Sequence, residues 1–183
     1  MEKRQCFIQP HQLITQLFNL QYVKSKTLHL PTKLRHMMED TTQTTPDGPT
    51  YGRALTGIGF NLLVDDMSRT LSFLKQVLTL VPVYADTDFA IMRHEGMEFM
   101  LHSDASYHSN PLLGLLEQGC MRGTGVELRL YGVNPDTAIA QAKKMDHYIL
   151  QEPTDKPHGL REAYILDANG YIWVPSIAIY HAV

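Results

Sequence analysis

The chain has 183 residues, enough for one domain with a sizeable hydrophobic core and an additional segment. Hydrophobic residues make up 44% of the chain and charged residues 19%, which are ordinary proportions for a water-soluble globular protein. Apolar runs extend over only a few residues, so we expect no transmembrane helix and no membrane partner.

Charge is distributed unevenly along the chain. Residues 1–36 contain six Lys or Arg and one acid, a net +5, so the remainder carries about −8 within a total of −3. An acidic body repels phosphate backbones, so the sequence predicts no nucleic-acid partner. The two cysteines, Cys6 and Cys120, have no zinc-ligand spacing and are typical of unpaired thiols in a reducing compartment. We therefore expect a cytoplasmic protein.

The first 54 residues differ in pattern from the rest. Residues 37–54 are rich in Thr, Pro and Gly and are interpreted as a linker, so 1–54 is expected to be a poorly ordered or partly helical extension. Three interpretations of residues 1–36 stay open: a targeting peptide, a helical arm carrying Leu13, Leu17 and Leu20, or an over-long start before Met37 or Met38. None of the three assigns chemistry to this segment.

Strong periodicity begins at Leu55 with a first unit of one strand, one helix and three strands. Apolar residues alternate over 58–64, which predicts a half-buried strand, and Asp65 or Asp66 can cap a following helix. That helix has an apolar face at helical spacing, formed by Met67, Leu71, Leu74 and Leu78. Strands are expected at 81–84, 89–93 and 97–102, the last two joined by the turn His94-Glu95-Gly96.

The same order then repeats. A strand at 126–131 precedes Asn134 and Pro135, which predict a helix start. A strand at 147–150 and a hairpin of 160–166 with 171–177, turning at Asp167-Ala168-Asn169-Gly170, complete the second unit. The connector 103–124 is expected to hold one short helix at 110–118. The sequence thus predicts an α+β domain at 55–180, made of two βαβββ modules at about 55–103 and 124–178. Their mixed sheets form a partly closed cleft, with the helices on the convex faces.

Three stretches of this chain resemble the vicinal oxygen chelate superfamily of glyoxalases, bleomycin resistance proteins and extradiol dioxygenases. They are IGFNLLVDDMSRTLSFLKQVLTL, GVELRLYGVNPDTAIAQAKK and GLREAYILDANGYIWVPS. The third is the most specific, although Ala168 stands where such families usually have Pro. The resemblance implies the paired βαβββ fold and a homodimer, since open sheet edges need covering.

The resemblance also identifies the positions at which metal-binding members hold their ligands. These fall on Gly59, Met100, Glu127 and Val174, of which only Glu127 offers a hard donor. The chain therefore resembles the metal-free, bleomycin-resistance-like branch, and we expect neither a metal nor another cofactor.

Strand alternation, with the family likeness for the last hairpin, predicts which side chains line the cleft. Ten ligand-binding residues are expected: Asn61, Glu98, Met100, His102, Glu127, Arg129, Tyr131, Glu162, Tyr164 and Val174. This mixture of apolar and acidic groups favours a ligand with an apolar or aromatic body and cationic or hydrogen-bonding groups. Purely structural roles compete, above all a cross-strand pair of Arg129 with Glu127 or Glu162, and core packing of Trp173.

The hypothesis that follows is a metal-independent small-molecule-binding protein that sequesters an antibiotic-like or metabolite ligand. No catalytic residue is assigned, and the departures at the metal positions weigh against an enzyme. The alternative is a metal-dependent lyase like lactoylglutathione lyase, or a ring-cleaving dioxygenase, with an atypical ligand set. A third class, a structural or regulatory interaction protein, would have an apolar surface patch and a filled cleft.

Overall fold

The protein is described here by a computed structural model that covers residues 47–116 and 121–180. These residues belong to one compact unit, Thr45–Val183. The helices are α1 (Gly48–Ala54), α2 (Met67–Val77) and α3 (Pro135–Lys144). The strands are β1 (Asn61–Val64), β2 (Val81–Ala85), β3 (Phe89–His94), β4 (Met97–Ser103), β5 (Glu127–Tyr131), β6 (Tyr148–Asp155), β7 (Leu160–Leu166) and β8 (Ile172–Ala178).

The eight strands form two four-stranded mixed sheets of matching topology. Sheet one has the order β1-β4-β3-β2 and sheet two the order β5-β8-β7-β6. In each sheet the first and last strands of the module pair in parallel and the remaining pairs are antiparallel. The predicted α+β fold of two βαβββ modules is therefore confirmed. None of the helices in the described part of the chain has the length and hydropathy needed to span a bilayer.

Local signals place most element boundaries where the sequence predicts them. Asp66 is the N-cap of α2 and accepts the backbone N–H of Arg69, and Asn134 caps α3 by accepting two backbone N–H groups. The β3–β4 turn has positive φ at Glu95 and Gly96, as a tight two-residue hairpin requires. These short-range interactions are the part of the fold that the sequence encodes most directly.

Other boundaries differ from the prediction. Strand β1 begins at Asn61 and not at residue 58, because only 61–64 pair with β4, and Ile58 is 79% exposed. Strand β6 runs to Asp155, well beyond the predicted 147–150, because β7 pairs with it through two register shifts. Both differences come from pairing with another strand, which the periodicity within one strand does not report.

The connecting segments also differ from the prediction. The described part of the connector contains two short 3-10 turns, Asp104–Tyr107 and Leu113–Leu115. The second lies where the sequence predicts a helix beginning at residue 110. Helix α1 lies inside the predicted linker and begins after Asp47, whose carboxylate accepts the Thr50 N–H. Cys6, Cys120 and the three interpretations of residues 1–36 lie outside the described residues.

One face of each sheet packs into a shared core with the helices. The alternation predicted from the sequence places the apolar side chains of β1, β4 and β5 on this face. Burial follows the prediction for Leu62, Val64, Leu101 and Leu130, and Phe99 and Leu128 are partly buried against the same cluster. From sheet two, Trp173 is 2% exposed and packs against Phe73 of α2 and Phe99 of β4. Core packing, one of the alternatives left open for Trp173, is the role observed.

The β7–β8 turn is organised by a buried carboxylate, Asp167. Its Oδ1 accepts the backbone N–H groups of Asn169 and Tyr171 at 2.9 Å, and its Oδ2 accepts Trp173 Nε1–H at 2.9 Å. Burial raises the pKa of Asp167 even though these hydrogen bonds favour the ionised form. Gly170 completes the turn at φ +84°, where an added Cβ would meet Met121 Cα at 2.5 Å.

The same turn joins the two modules. Asn169 Oδ1 accepts the backbone N–H of Asp65 at 3.0 Å, and its Nδ2 donates to Thr70 Oγ1 at 3.0 Å. The Tyr171 hydroxyl donates to the Leu63 carbonyl at 3.1 Å. The end of β1 and the first turn of α2 are therefore held by a turn of the other module.

Replacing Asp167 by Ala should lower the free energy of unfolding by about 2–4 kcal/mol, because it leaves three buried donors without an acceptor. Asp86→Ala is the matched control. Asp86 also accepts two backbone N–H groups in a turn, but it is exposed, so its loss should cost below ~1 kcal/mol. Denaturant titration of both variants measures their free energies of unfolding. Equal losses in the two variants would show that the burial of Asp167 does not add to its contribution to stability.

Candidate functional site

Three of the predicted binding residues meet on the face of sheet one that points away from the core. Register pairs Asn61 with Met100, Met100 with Ile91, and His102 with Phe89, so these side chains share one face. Met100 and His102 are half-buried and Asn61 is exposed. We refer to this surface as the outer face of sheet one.

A row of aromatic rings crosses the outer face. Ring centroids are 6.1 Å apart from Tyr84 to Phe89, 4.8 Å from Phe89 to His102, and 4.6 Å from His102 to Tyr107. Asn61 Nδ2 donates to the Tyr107 hydroxyl at 3.3 Å. All four rings are partly exposed, so a flat molecule can stack on them.

Sequence reasoning missed three members of this row. Tyr84 and Phe89 lie at alternating positions of β2 and β3, so extending the face assignment to those strands would have found them. Tyr107 comes from the first 3-10 turn of the connector, where no periodic signal exists. His102 is held in the row with its Nδ1 3.3 Å from Ser106 Oγ, and burial lowers its pKa. The imidazole is therefore mainly neutral at pH 7.

Glu98 lies on the same face but belongs to a separate polar group. It accepts the Tyr51 hydroxyl at 2.7 Å and Arg93 Nε–H at 2.9 Å, and both bonds lower its pKa. Burial, together with the bond to Glu98, raises the pKa of Tyr51 to about 12. This contact ties α1 to β4, and nothing in the predicted linker indicated it.

On sheet two, one guanidinium serves two carboxylates. Arg129 pairs with Glu127 through Nη1 at 2.8 Å and with Glu162 through Nη2. His158 Nε2 lies 3.0 Å from Glu162 Oε1. The Glu162 side chain is 1% exposed; its burial raises its pKa, but the His158 hydrogen bond and the Arg129 charge outweigh this effect and leave it lowered. Glu162 is thus an ionised, buried carboxylate that depends on its partners.

The remaining predicted residues lie around this network. Tyr131 is 57% exposed, with the Arg129 guanidinium 5.9 Å from its ring centre. Tyr164 is half-buried, and Lys156 Nζ lies 5.3 Å from its ring centre. Val174 pairs with Arg129 in the sheet register and is fully buried.

The structure therefore divides the ten residues into groups. Asn61, Met100 and His102 lie with the aromatic row, and Glu98 lies apart from them with Arg93 and Tyr51. Glu127, Arg129, Tyr131, Glu162, Tyr164 and Val174 lie on sheet two. Within the described ranges no hydrogen bond or ion pair joins the aromatic row to the Arg129 network.

The donor set does not fit a divalent metal. Gly59 has no side chain, Val174 is aliphatic and buried, and Met100 supplies a soft thioether. The one carboxylate, Glu127, is engaged by Arg129. Among residues 47–116 and 121–180, no three His, Cys, Asp or Glu side chains are grouped as metal ligands.

No protein-family profile matches the chain, and no curated protein matches it. Solved structures do match it. A glyoxalase-related enzyme from Fulvimarina pelagi shares 15% identity at TM-score 0.53, covering 67% of this chain and 88% of that one. A glyoxalase/bleomycin resistance protein/dioxygenase from Nocardioides shares 16% at TM-score 0.51, covering 73% and 93%. A glyoxalase/bleomycin resistance protein/dioxygenase family enzyme from Burkholderia phytofirmans shares 12% at TM-score 0.55, covering 66% and 97%.

Paired βαβββ modules define a class of protein folds. This chain has that architecture over residues 61–178. Its fold is that of the glyoxalase/bleomycin resistance protein/dioxygenase structures, as the sequence resemblance predicted. At such identities the likeness establishes the fold, and function has to be argued from the site.

Arg129→Met should lower the free energy of unfolding at pH 7 by about 2–4 kcal/mol, because it leaves Glu162 ionised, buried and short of a partner. In the wild type the lowered pKa of Glu162 means that its stabilisation is present at neutral pH and lost as pH falls. In the variant, burial raises the pKa of Glu162 without the opposing effect of the Arg129 charge. The loss in free energy of unfolding relative to the wild type should therefore become smaller towards acidic pH, as Glu162 takes up a proton.

The control for this experiment is Arg161→Met. Arg161 lies on β7 next to Glu162 in sequence and pairs with Asp136 and Asp155, which are both exposed. Its loss should cost below ~1 kcal/mol. Chemical denaturation at pH 5 and pH 7 compares the two variants, and a pH-independent deficit in Arg129→Met would contradict the role assigned to Glu162.

Proposed function

We propose that this chain is a metal-independent, cofactor-free small-molecule-binding protein of the glyoxalase/bleomycin-resistance type. The observation that carries the proposal is the pairing of Glu127 with Arg129 at 2.8 Å, since Glu127 is the one hard donor at the four metal positions. A guanidinium is thus paired with Oε2 of the carboxylate that a metal would need. Binding is assigned to residues 55–180, and residues 1–54 are given no chemical role.

The ligand is proposed to be a planar aromatic molecule, antibiotic-like or a metabolite, that the protein sequesters unchanged. Support comes from the partly exposed row Tyr84, Phe89, His102 and Tyr107. Asn61 beside Tyr107 and the neutral imidazole of His102 within the row provide hydrogen-bonding groups. A planar ligand can stack on such a surface, and a few polar groups fix the orientation of the ligand.

The test uses lumichrome, a neutral planar tricycle, followed by fluorescence anisotropy. Tyr107→Leu should weaken its binding about fivefold to tenfold, which corresponds to the loss of one stacked ring. Tyr148→Leu, at a tyrosine that is 66% exposed on β6, should leave binding unchanged. If the two variants bind equally, or if neither lumichrome nor other planar aromatics bind the wild type, the aromatic row is not the site.

Metal independence is tested on the same preparation. Elemental analysis should find no stoichiometric metal. A chelator-treated sample should bind lumichrome with the same affinity as the untreated protein. A stoichiometric Mn, Fe, Ni or Zn whose removal abolishes binding would overturn metal independence. Turnover of a glutathione hemithioacetal or a catechol with added metal would favour the lyase or dioxygenase alternative.

We further propose that the protein is a cytoplasmic homodimer. Support comes from sheet edges: β1 and β2 end sheet one, β5 and β6 end sheet two, and each pairs with a single neighbour in the described part of the chain. Open edges favour association with a second copy. Sedimentation velocity should show a species of twice the chain's 20.8 kDa at micromolar concentration, and a single 20.8 kDa species would contradict the dimer.

A further inference from the structure

A cavity of about 380 Å³ is lined by residues of both modules, and none of the four rings of the aromatic row lines it. Its walls are core-face side chains of β4, β5 and β8 and of the β1 region: Phe60, Leu62, Phe99, Leu128, Leu130 and Trp173. Its volume falls within the range of small-molecule sites, and its walls are apolar and aromatic, as in such sites. Nothing in the argument for the outer face involves these walls.

The mouth of this cavity exposes apolar surface from both modules. Phe60 is 48% exposed, Met97 62%, Val126 52% and Tyr131 57%. The His94 ring bridges the modules here, with its Nε2 2.7 Å from the Tyr131 carbonyl oxygen. Exposed apolar side chains grouped around a preformed cavity indicate a binding site.

Charge at the mouth is negative. Glu95, Glu98 and Glu127 line the cavity edge, whereas Arg129 is the one Lys or Arg that lines it among the described residues. Arg129 is shared with the buried Glu162, and Arg93 pairs with Glu98. Glu162 is buried and does not line the cavity. The mouth therefore has three carboxylates against the two guanidiniums of Arg93 and Arg129, an excess of one negative charge.

We infer that this cavity is a second ligand site, which binds a hydrophobic amine with its apolar body against Trp173 and its ammonium group at Glu98 and Glu127. An ammonium group there meets carboxylates and the face of Tyr131, which together favour a cation over a neutral or anionic group. The apolar walls supply affinity and the acidic mouth supplies selectivity.

Trp173 provides the measurement, because it is the only tryptophan of the chain and it lines the cavity. The probes are 4-phenylbutylamine, 4-phenylbutan-1-ol and 4-phenylbutyrate, which share one apolar body and do not absorb at 295 nm. The full chain should show a saturable change in Trp173 fluorescence with the amine, and binding about fivefold weaker with the alcohol. The carboxylate should bind most weakly. Equal binding of the three probes, or no change with the amine, would overturn the proposal.

Three variants and one control locate the site. Glu127→Gln and Glu98→Gln should each reduce the preference for the amine over the alcohol, whereas Glu152→Gln, an exposed acid paired with Lys143, should not. Leu128→Phe, which narrows the cavity, should weaken all three probes, with circular dichroism reporting that it folds. An unchanged preference in both Gln variants would exclude the mouth as the cation site.

A competition experiment separates this proposal from the one made for the outer face. Saturating lumichrome should leave amine binding intact, and Tyr107→Leu should not affect it. If the wild type binds the amine but does not bind lumichrome, only the outer-face site is refuted. Displacement of the amine by lumichrome would refute the existence of two separate sites.

Discussion

The position of one module against the other depends on the buried carboxylate of Asp167. It accepts three hydrogen bonds at 2.9 Å and so shapes the β7–β8 turn that presents Asn169 and Tyr171 to β1 and α2. Its indole partner, Trp173, contacts Phe73 and Phe99 of the first module. A charged group is costly in a core, and its pKa is raised accordingly, but three donors would be stranded without it. Both the aromatic row and the cavity walls depend on sheets held in this way.

Arg129 has a comparable role on sheet two. In a metal-binding relative a cation would be supplied by an ion at the ligand positions, whereas here one covalently attached guanidinium pairs with both Glu127 and the buried Glu162. An internal cation is present in every molecule and does not depend on metal supply. It also cannot polarise a substrate oxygen as a Lewis acid does, which is the physical reason for proposing binding rather than catalysis.

The two faces of the sheets offer different chemistry because strand alternation separates them. Side chains at Asn61, Met100 and His102 point to the aromatic row, while their neighbours Leu62, Phe99 and Leu101 point to the core. Core-face side chains of both sheets also supply the apolar walls of the cavity. A single pattern of alternation therefore generates both a stacking surface and the walls of an apolar pocket, for which two different classes of ligand are proposed.

Short-range sequence patterns were enough to predict the module order, the helix cap at Asn134, the Asn-Gly turn and the faces of most strands, because each depends on residues near one another in the chain. For α2 they left Asp65 and Asp66 as alternative caps, and the structure shows Asp66. The sequence by itself also determined that Gly59, Met100 and Val174 offer no hard metal ligand. The hydrogen bond from Tyr51 to Glu98 became known only from the tertiary structure. The same is true of the ion pairs that Arg129 makes with both Glu127 and Glu162. The tertiary structure alone brought Tyr107 beside His102 and opened a cavity between the modules. These contacts join residues from different strands, helices and turns, and their geometry follows from sheet pairing and module packing, which no local pattern records.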